Sequence, residues 1–385
     1  MNARPVYLAG LGLHAFGRFP DLDVTALGQN AVREALREAG MRRGGFEAAF
    51  CGTVYSGVAA GHKVLSGLGL SGMPIVNVEA GCASGGAALA LGAAQIASGA
   101  REQVLVFGME KMPRGIIRSS FFPPWCEAAG LTPAPAYFAL RARRLMLESD
   151  VTRHDLARVS EKNHRNGVQN PFAMFRRAMS IEEILASKMI CDPLTLFMLC
   201  SPNEGAAAVV LSARPGPVGP AIQVLASALR SHVPGSVLGE HTPFCGLIDD
   251  EPLSPTRRAA TDAFETAGLD PSAIDVAEVQ DTDSGREILS LEELGLTTPG
   301  TGGRFVREGT GEMGGRLPIN PSGGLLSKGE PLGASALAQI VELAWQLRGS
   351  AGPRQVEGAR TALAHTVGRG ANASVILLQR EQGRA

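Results

Sequence analysis

Residues 76–86 read VNVEAGCASGG, and this stretch passes from a short apolar strand into a helix of small residues. Cys82 stands where the strand has ended and the helix begins. A thiol at a helix N-terminus gains from the helix dipole and from free backbone N–H groups, both of which favour the thiolate. The same N–H groups stabilise an oxyanion on an acyl carbonyl. We therefore predict that Cys82 is a nucleophile; the alternative is a buried structural cysteine beside a tight turn.

The segments on either side of Cys82 predict a parallel sheet. Apolar runs at 74–78 and 103–107 predict strands, and the alanine-rich stretch 87–97 between them predicts a helix. A strand, a helix and a strand in this order form a crossover unit, which requires parallel strands. Hydrophobic spacing predicts three further elements, which are a strand at 6–11, a helix at 24–39 and a strand at 206–211. This order is typical of an α/β fold.

Residues 111–200 differ in character from the segments around them. They hold 13 Lys and Arg against 8 Asp and Glu, whereas the whole chain has a formal charge of −1. A proline-rich stretch opens the region, and helical spacing follows at 136–148 and 155–164. We interpret it as an inserted, mostly helical lobe with a basic surface. The alternative is a solvated charged face that binds no partner.

The segment PGPVGP at 215–220 is the clearest boundary in the chain, because Pro and Gly interrupt regular structure most strongly. After it, strands and helices alternate again in a similar order, which indicates a duplicated α/β fold. The elements predicted there are strands at 221–229, 276–278, 362–365 and 373–379 and helices at 256–267 and 335–347. The predicted units are an N-terminal half (1–110 with 201–215), the inserted lobe (111–200) and a C-terminal half (216–385).

Composition excludes several classes of protein. The chain has 385 residues, and its 36 Lys and Arg face 37 Asp and Glu, so no excess of cations is available for nucleic acid. No apolar run approaches the ~20 residues that span a bilayer, and the N-terminal stretch lacks the features of a signal peptide. Six scattered cysteines form no C-x-x-C pair, which favours reduced thiols in a cytoplasmic protein.

Two weaker motifs do not support a cofactor or a metal. Gly10 and Gly12 follow the first predicted strand, but no third glycine completes a dinucleotide-binding fingerprint. His241 and Cys245 are spaced as metal ligands, yet the sequence offers no partners for them, so a surface loop is the better interpretation. We expect neither a permanently bound cofactor nor a metal ion.

The segment around Cys82 resembles the nucleophile region of the thiolase superfamily, in particular its sterol-carrier-protein-x or lipid-transfer branch. Matching segments follow in family order over nearly the whole chain, namely KNHRN (162–166), NP (170–171), DPLT (192–195), NPSGG (320–324) and KGEPLG (328–333). The resemblance implies a duplicated thiolase fold, with two βαβαβαββ halves in α/β/α/β/α layers and an inserted helical loop domain. It also implies at least a homodimer, paired through strands near the nucleophile.

The sequence departs from the thiolase pattern at three places. Thiolases usually have Gly-His-Pro, whose histidine activates the cysteine and lines an oxyanion hole, where this chain has Gly-Glu-Pro with Glu330. Residues 279–283 read VQDTD, where lipid-transfer thiolases resemble His-Asp-Cys-Phe. Residues 364–368 read AHTVG, where many thiolases carry a second cysteine. The usual agent of proton transfer at the substrate α-carbon is therefore missing from its place in the sequence.

Three residues are candidates to replace these groups. Glu330 can accept a thiol proton, although an anion there repels an enolate; helix capping is the alternative. His365 can act as an acid or base because imidazole titrates in the useful range, and packing at a strand end is its alternative. Asp281, like its neighbour Asp283, lies in a polar turn and is either catalytic or an ordinary turn residue.

The resemblance leaves three functions open. In the first, Cys82 attacks the keto carbon of a β-ketoacyl-CoA, carbon–carbon cleavage releases an enolate, and CoA takes the acyl group; Claisen condensation is the reverse. The basic lobe would then attract the CoA phosphates. The second is a retro-aldolase that cleaves β-hydroxyacyl-CoA side chains together with a partner protein carrying an OB-fold domain. The third is acyl-CoA binding without catalysis.

Overall fold

Each half of the chain combines strands with helices, as the hydrophobic spacing predicts; four helices follow one another before the last two strands. The computed structural model describes residues 4–41, 45–117, 124–231, 254–368 and 372–381, so His241 and Cys245 lie outside the described residues. The strands are β1 (Tyr7–Gly17), β2 (Ala48–Gly52), β3 (Ile75–Val78), β4 (Gln103–Lys111), β5 (Met189–Cys191), β6 (Leu194–Thr195), β7 (Glu204–Ser212), β8 (Ile222–Ser231), β9 (Val276–Glu278), β10 (Thr361–Val367) and β11 (Asn372–Arg380). The helices are α1 (Val24–Glu38), α2 (Ala60–Gly67), α3 (Ser84–Ala97), α4 (Pro124–Ala128), α5 (Ala134–Glu148), α6 (Arg153–Gly167), α7 (Ile181–Ala186), α8 (Pro255–Ala267), α9 (Ser284–Glu293), α10 (Gly302–Arg307), α11 (Gly324–Lys328) and α12 (Leu332–Arg348).

Each strand and helix predicted from the spacing is present, with bounds that differ by a few residues. The largest difference is in β1, which continues to Gly17 instead of ending at residue 11. Strand β2 and helices α2 and α9 were not predicted, because their short segments are rich in small or polar residues. The polar turn expected after β9 is present, and α9 begins directly after it because the Asp283 carboxylate accepts a bond from the Arg286 N–H and caps the helix.

Nine strands form one mixed sheet in the order β3-β2-β4-β7-β1-β8-β11-β10-β9. Strand β2 pairs in parallel with both β3 and β4, which confirms the predicted crossover unit. The two parts of the sheet join where β1 meets β8, at the pair Tyr7 and Gln223. The order β1-β7-β4-β2 in the first part recurs as β8-β11-β10-β9 in the second. The predicted duplication is therefore confirmed by strand order.

Helices cover the sheet in the layers expected of a duplicated thiolase fold. On the outer face of the first part, α1 and α2 bury side chains such as Leu27 and Val64. Between the two parts, α3 and α12 pack against each other and share one core that includes Leu89 and Leu337. On the outer face of the second part, α8 contributes Phe264 to a third core. The α/β/α/β/α architecture is thus confirmed.

Gly10 and Gly12 lie within β1 and allow α1 to approach that strand closely. A Cβ atom at Gly10 would lie 2.2 Å from the carbonyl oxygen of Ala35, and one at Gly12 would lie 2.0 Å from that of Ala31. No side chain larger than hydrogen fits between the strand and the helix. The two glycines are therefore explained by packing, and their spacing carries no information about a nucleotide.

The segment between β4 and β7 contains α4 to α7 and the β5–β6 hairpin, as expected of an inserted helical lobe. Its core includes Leu156 and Met198, and Ile288 and Leu326 of the C-terminal half pack into the same core. The lobe is therefore fixed against α9 and α11 of the C-terminal half. The exact limits of the three predicted units stay predictions. None of the helices in the described ranges combines the length and apolar character needed to cross a bilayer.

The duplication places two residues of chemical interest at corresponding positions. Helix α3 precedes β4 in the first half, and α12 precedes β10 in the second; the two helices pack against each other as the inner pair of the layers. Ala83 is the N-cap of α3 and Pro331 is the N-cap of α12. Cys82 and Glu330 each stand one residue before these caps. The fold thus carries a thiol and a carboxyl group to the N-terminal ends of two helices that pack together.

Candidate active site

A cavity of about 820 Å³ opens where the N-terminal ends of α3 and α12 meet the helical lobe. Cys82 and Glu330 both line it. Most of the remaining wall is apolar and comes from the lobe and its flanking segments, for example from Ile116, Ile117, Phe138, Phe175, Ile190, Leu196, Phe197 and Leu199. A concave, mostly apolar site with a few polar groups is the usual form of a small-molecule pocket in an enzyme.

Cys82 is held at the cavity wall by a tight turn before α3. Gly81 has φ +57°, a left-handed conformation that favours glycine. The Ser84 hydroxyl accepts a bond from the Ala80 N–H at 2.9 Å and donates to the Gly81 carbonyl at 2.6 Å, which fixes the turn. Ala83 supplies no capping side chain to the helix. The helix dipole therefore acts on the Cys82 thiol without a capping group between them.

The Glu330 carboxylate is buried and oriented by two polar groups. The Gln280 side-chain N–H donates to Glu330 Oε1 at 2.8 Å, and the Cys200 thiol donates to Oε2 at 3.2 Å. The Glu330 backbone N–H donates to the Ser201 carbonyl at 2.9 Å, which ties α12 to the segment before β7. Glu330 therefore faces the cavity with a fixed orientation, as a catalytic base must.

Cys200 is a functional candidate that the sequence analysis missed. It is the last residue of the lobe, shortly before β7, and it lines the cavity and is partly exposed. Its backbone N–H donates to the Thr282 carbonyl at 2.9 Å, so the segment before β7 is fixed to the segment after β9. Burial, the Glu330 charge and a weaker effect of Asp281 raise the pKa of the Cys200 thiol well above its usual range. The thiol is therefore protonated at neutral pH.

His164 is a further functional candidate in the cavity wall, and from the sequence it was named only as part of a matching segment. Its ring is 1% exposed and packs edge-on against Phe175 and Phe197. Neither ring nitrogen has a hydrogen-bond partner of normal geometry among the described residues, although the Phe197 carbonyl is close enough to favour the protonated ring. Burial lowers the pKa of His164 to about 4. The neutral ring therefore offers one N–H donor to a ligand.

Asp281 lies behind the cavity, and it is not among the described residues that line it. Its carboxylate accepts bonds from the backbone N–H groups of Leu325 and Leu326 at 2.7 and 3.2 Å and from the Asn163 side chain at 2.8 Å. Burial and the Glu287 charge raise the pKa of Asp281 well above its usual range. These contacts anchor α11 and the loop before it. The catalytic assignment of Asp281 stays a prediction, and this position gives it no direct access to a ligand.

His365 also lies outside the described lining of the cavity. It is fully buried in β10, where Nε2 is 3.0 Å from the Thr256 hydroxyl and Nδ1 faces the Gln280 N–H at 3.5 Å. Burial and the positive charge of Arg286 lower the pKa of His365 well below its usual range. This environment agrees with the alternative that His365 packs within the protein. The assignment of His365 as an acid or base stays a prediction, and the geometry does not support it.

We expect a His365→Asn variant to lose less stability on acidification than the wild-type protein does. Below pH 6.5 the imidazole of the unfolded chain binds a proton while the native ring stays neutral. Acidification therefore lowers the free energy of unfolding of the wild-type protein. At pH 5 the difference is at most about 2 kcal/mol, which is set by protonation of the imidazole in the unfolded chain. Urea denaturation of both proteins at pH 7.5 and pH 5 measures it, and the contribution of Asp281, which has the opposite sign, cancels in the comparison. Equal losses in the two proteins would contradict a neutral buried ring.

Comparison with known proteins agrees with this architecture. The family model "Thiolase, N-terminal domain" matches residues 10–214, and "Thiolase C-terminal domain-like" matches residues 248–380. Sterol carrier protein 2 of Bos taurus is 35% identical over 97% of this chain and 72% of its own length. Acetyl-CoA acetyltransferase of Methanothermobacter thermautotrophicus is 38% identical over 98% of this chain and all of its own length. The benzoylsuccinyl-CoA thiolase subunit BbsB of Thauera aromatica is 33% identical over 96% of both chains.

Solved structures show the same fold at lower sequence identity. The Ltp2-ChsH2(DUF35) aldolase has a chain that superimposes with a TM-score of 0.86 at 23% identity and covers 99% of both chains. Human mitochondrial 3-ketoacyl-CoA thiolase gives a TM-score of 0.73 at 15% identity, over 98% of this chain and 99% of that one. With both thiolase domain models matched across the two halves of the sheet, the chain belongs to the thiolase family, as its sequence motifs predict.

Proposed function

We propose that this protein transfers acyl groups to or from CoA through a thioester on Cys82. The observation that carries the proposal is the meeting of Cys82 and Glu330 at one apolar cavity, each directly before the N-terminus of an inner helix. A nucleophile needs a base beside it and donors for the charge that develops on the carbonyl oxygen. The carboxylate supplies the base, and the end of α3 supplies donors.

The proposed reaction starts when Glu330 takes the thiol proton and Cys82 attacks the keto carbon of a β-ketoacyl-CoA. Collapse of the resulting alkoxide breaks the bond between the α- and β-carbons, which leaves an acyl group on Cys82 and an enolate of the shorter CoA ester. CoA then takes the acyl group from Cys82. The same groups run the reverse condensation, so the direction depends on the substrates present.

The cavity wall supports an apolar acyl group as the substrate. The wall is mostly hydrophobic, and Ile116, Phe138 and Phe197 are among its large side chains. The neutral His164 ring supplies a donor for one oxygen of the ligand, because its nitrogens lack partners of normal geometry among the described residues. A polar group buried without a partner is unfavourable unless a ligand satisfies it. CoA thioester is thus proposed as a substrate, with no resident cofactor.

The basic lobe is proposed to attract the CoA phosphates through its net charge. Several of its arginines are already paired with carboxylates, for example Arg143 with Asp192 and Arg177 with Glu183. The lobe nevertheless keeps more Lys and Arg than Asp and Glu. Its contribution is therefore long-range steering of an anionic ligand, which weakens as salt concentration rises.

The alternative function is that of a retro-aldolase. The observation that favours it is the carboxylate of Glu330 in the cavity. A carboxylate at this place is a good base for a β-hydroxyl group, whereas its charge opposes an enolate formed next to it. In that mechanism no acyl group is attached to Cys82, and a partner with an OB-fold domain completes the enzyme. Binding of acyl-CoA without catalysis is the remaining alternative.

Intact-protein mass spectrometry after mixing with acetyl-CoA, butyryl-CoA and octanoyl-CoA tests the proposal. We expect the mass of the protein to increase by one acyl group, and peptide mapping should place that group on Cys82. An unmodified mass with every donor would contradict acyl transfer. A retro-aldol assay with a β-hydroxyacyl-CoA and candidate OB-fold partners would then separate the lyase from a binding protein.

We further propose that the protein forms a homodimer through β3. This strand is at the edge of the nine-stranded sheet, and its Val76 side chain is 42% exposed. An apolar, unpaired edge close to the nucleophile is a ready site for a second copy of the same strand. Strand β3 leads directly into the Cys82 turn, so pairing would also stiffen the active site.

A Val76→Arg variant is expected to shift the protein from dimer to monomer. A buried, unpaired arginine at a strand–strand contact costs several kcal/mol, so the dimer dissociates at micromolar concentration. Size-exclusion chromatography with light scattering measures the molar mass. The matched control is Val218→Arg, because Val218 is 46% exposed in the loop between β7 and β8, away from the sheet edge. A wild-type monomer, or a dimer in both variants, would refute pairing through β3.

A further inference from the structure

Two thiols of the described cavity lining, Cys82 and Cys200, have different environments. Cys82 stands at the N-terminal end of a 14-residue helix, which favours a thiolate. Cys200 donates its thiol proton to Glu330 Oε2 at 3.2 Å and stands in the negative field of that carboxylate. Cys82 and Cys200 line the same cavity, so both can reach a ligand bound there. One thiol is thus suited to attack a carbonyl, and the other is suited to give up a proton only to a strong base.

An enolate carbon is such a base, and the proposed acyl transfer produces one in this cavity. We propose that Cys200 is the catalytic residue that protonates the substrate α-carbon, with Glu330 as the partner that restores its proton. This inference rests on the proposed acyl transfer. It assigns a proton-transfer agent to a chain that has no cysteine at the two places where the resembling proteins carry one, at 279–283 and 364–368.

The proton that reaches the α-carbon in this scheme passes between three side chains, those of Cys82, Glu330 and Cys200. Glu330 takes the proton of Cys82 as the sulfur–carbon bond forms, and the carboxylate becomes a carboxylic acid. When the bond between the α- and β-carbons breaks, its electron pair stays on the enolate, and the Cys200 thiol gives its proton to the α-carbon. The Cys200 thiolate then takes the proton held by Glu330 across the 3.2 Å contact. The net result is transfer of the Cys82 proton to the α-carbon, with Cys200 and Glu330 unchanged.

The surrounding residues hold this pair in place without taking part in the proton transfer. Gln280 donates to the other oxygen of Glu330, which leaves Oε2 directed at Cys200. The backbone bonds from Cys200 to Thr282 and from Glu330 to Ser201 fix both residues to the same loop cluster. His164 does not compete for the role, because its low pKa leaves its ring neutral and weakly basic at neutral pH.

Two measurements on Cys200→Ser and Cys200→Ala variants separate the proton step from the acyl step. The first is acyl-adduct formation on Cys82 from acetyl-CoA, followed by intact-protein mass spectrometry. The second is exchange of the acetyl-CoA methyl protons with D₂O, followed by NMR. We expect adduct formation to remain within about threefold of wild type, while exchange falls by about 10²-fold or more. Cys191→Ser is the matched control, because Cys191 is partly exposed in β5 of the same lobe and is not in the described cavity lining.

The outcomes of this experiment distinguish failure of the Cys200 assignment from failure of the proposed acyl transfer. Undiminished exchange in both variants, or no exchange in a wild-type protein that still forms the adduct, would overturn the assignment of Cys200 and leave the acyl transfer standing. Loss of the adduct together with exchange would show that Cys200 supports the nucleophile instead. A wild-type protein without an adduct would overturn the proposed acyl transfer itself.

Discussion

A Cys82→Ala variant is expected to form no covalent acyl adduct with acetyl-CoA or any longer acyl-CoA, and its turnover should fall by about 10⁴-fold or more. The size of the effect follows from the covalent mechanism, because no other residue in the described lining of the cavity combines a favoured thiolate with nearby backbone donors. Cys200 does not substitute for it, since the pKa of that thiol is raised by burial and by the Glu330 charge. The measurement is intact-protein mass spectrometry together with a thiolysis assay.

Cys51→Ala is the control for this experiment. Cys51 is a fully buried thiol in β2, and burial raises its pKa, so it is as inert as a structural cysteine is expected to be. Its replacement should leave the adduct intact. An adduct that persists in Cys82→Ala and maps to Cys200 would reverse the assignments of the two thiols. Loss of the adduct in the Cys51 variant alone would instead point to a change in the packing beneath the active site.

The position of Cys82 at the cavity could be predicted because its signal is local, while its role as the nucleophile stays a prediction. An apolar strand, a glycine turn and a helix of small residues occupy eleven consecutive positions, and each of these features has its own physical reason. The α/β class and the duplication could be predicted in the same way, from hydrophobic spacing and element order. Glu330 was found differently, as a departure within a segment whose other residues match the thiolase pattern.

Cys200 and His164 could not be predicted as site residues, because their importance depends on long-range packing. Cys200 precedes Glu330 by 130 positions, and no spacing rule relates two residues so far apart. The only local hint is a cysteine in the polar segment before β7. For Asp281 and His365 the residue type indicated catalysis. Both side chains are fully buried and hydrogen-bonded within the protein, so a ligand in the cavity does not contact them directly. Sequence spacing predicts which face of an element a residue occupies, and it does not predict which buried polar groups meet a cavity.

The other large effect is expected at Glu330, where two readouts should move in opposite directions. In a Glu330→Gln variant, acylation of Cys82 slows by about 10²- to 10⁴-fold, because the general base is lost. The amide keeps an oxygen that accepts the bond from Gln280, so the loop geometry is largely retained. The carboxylate charge no longer raises the pKa of Cys200, so alkylation of Cys200 by iodoacetamide at pH 8 becomes faster. A purely structural carboxylate would not couple slower acylation to faster alkylation.

Glu342→Gln is the matched control, because Glu342 is also buried on α12 but pairs with Arg354 at 2.9 Å, outside the described lining of the cavity. It should change stability without changing either rate. Glu330→His restores the Gly-His-Pro segment and should bring acylation to within about tenfold of wild type, since imidazole is also a base. Unchanged acylation in Glu330→Gln would remove the carboxylate from the mechanism. Slow acylation without faster alkylation of Cys200 would break the link between the two residues, and with it the proton path from Cys82 to the α-carbon.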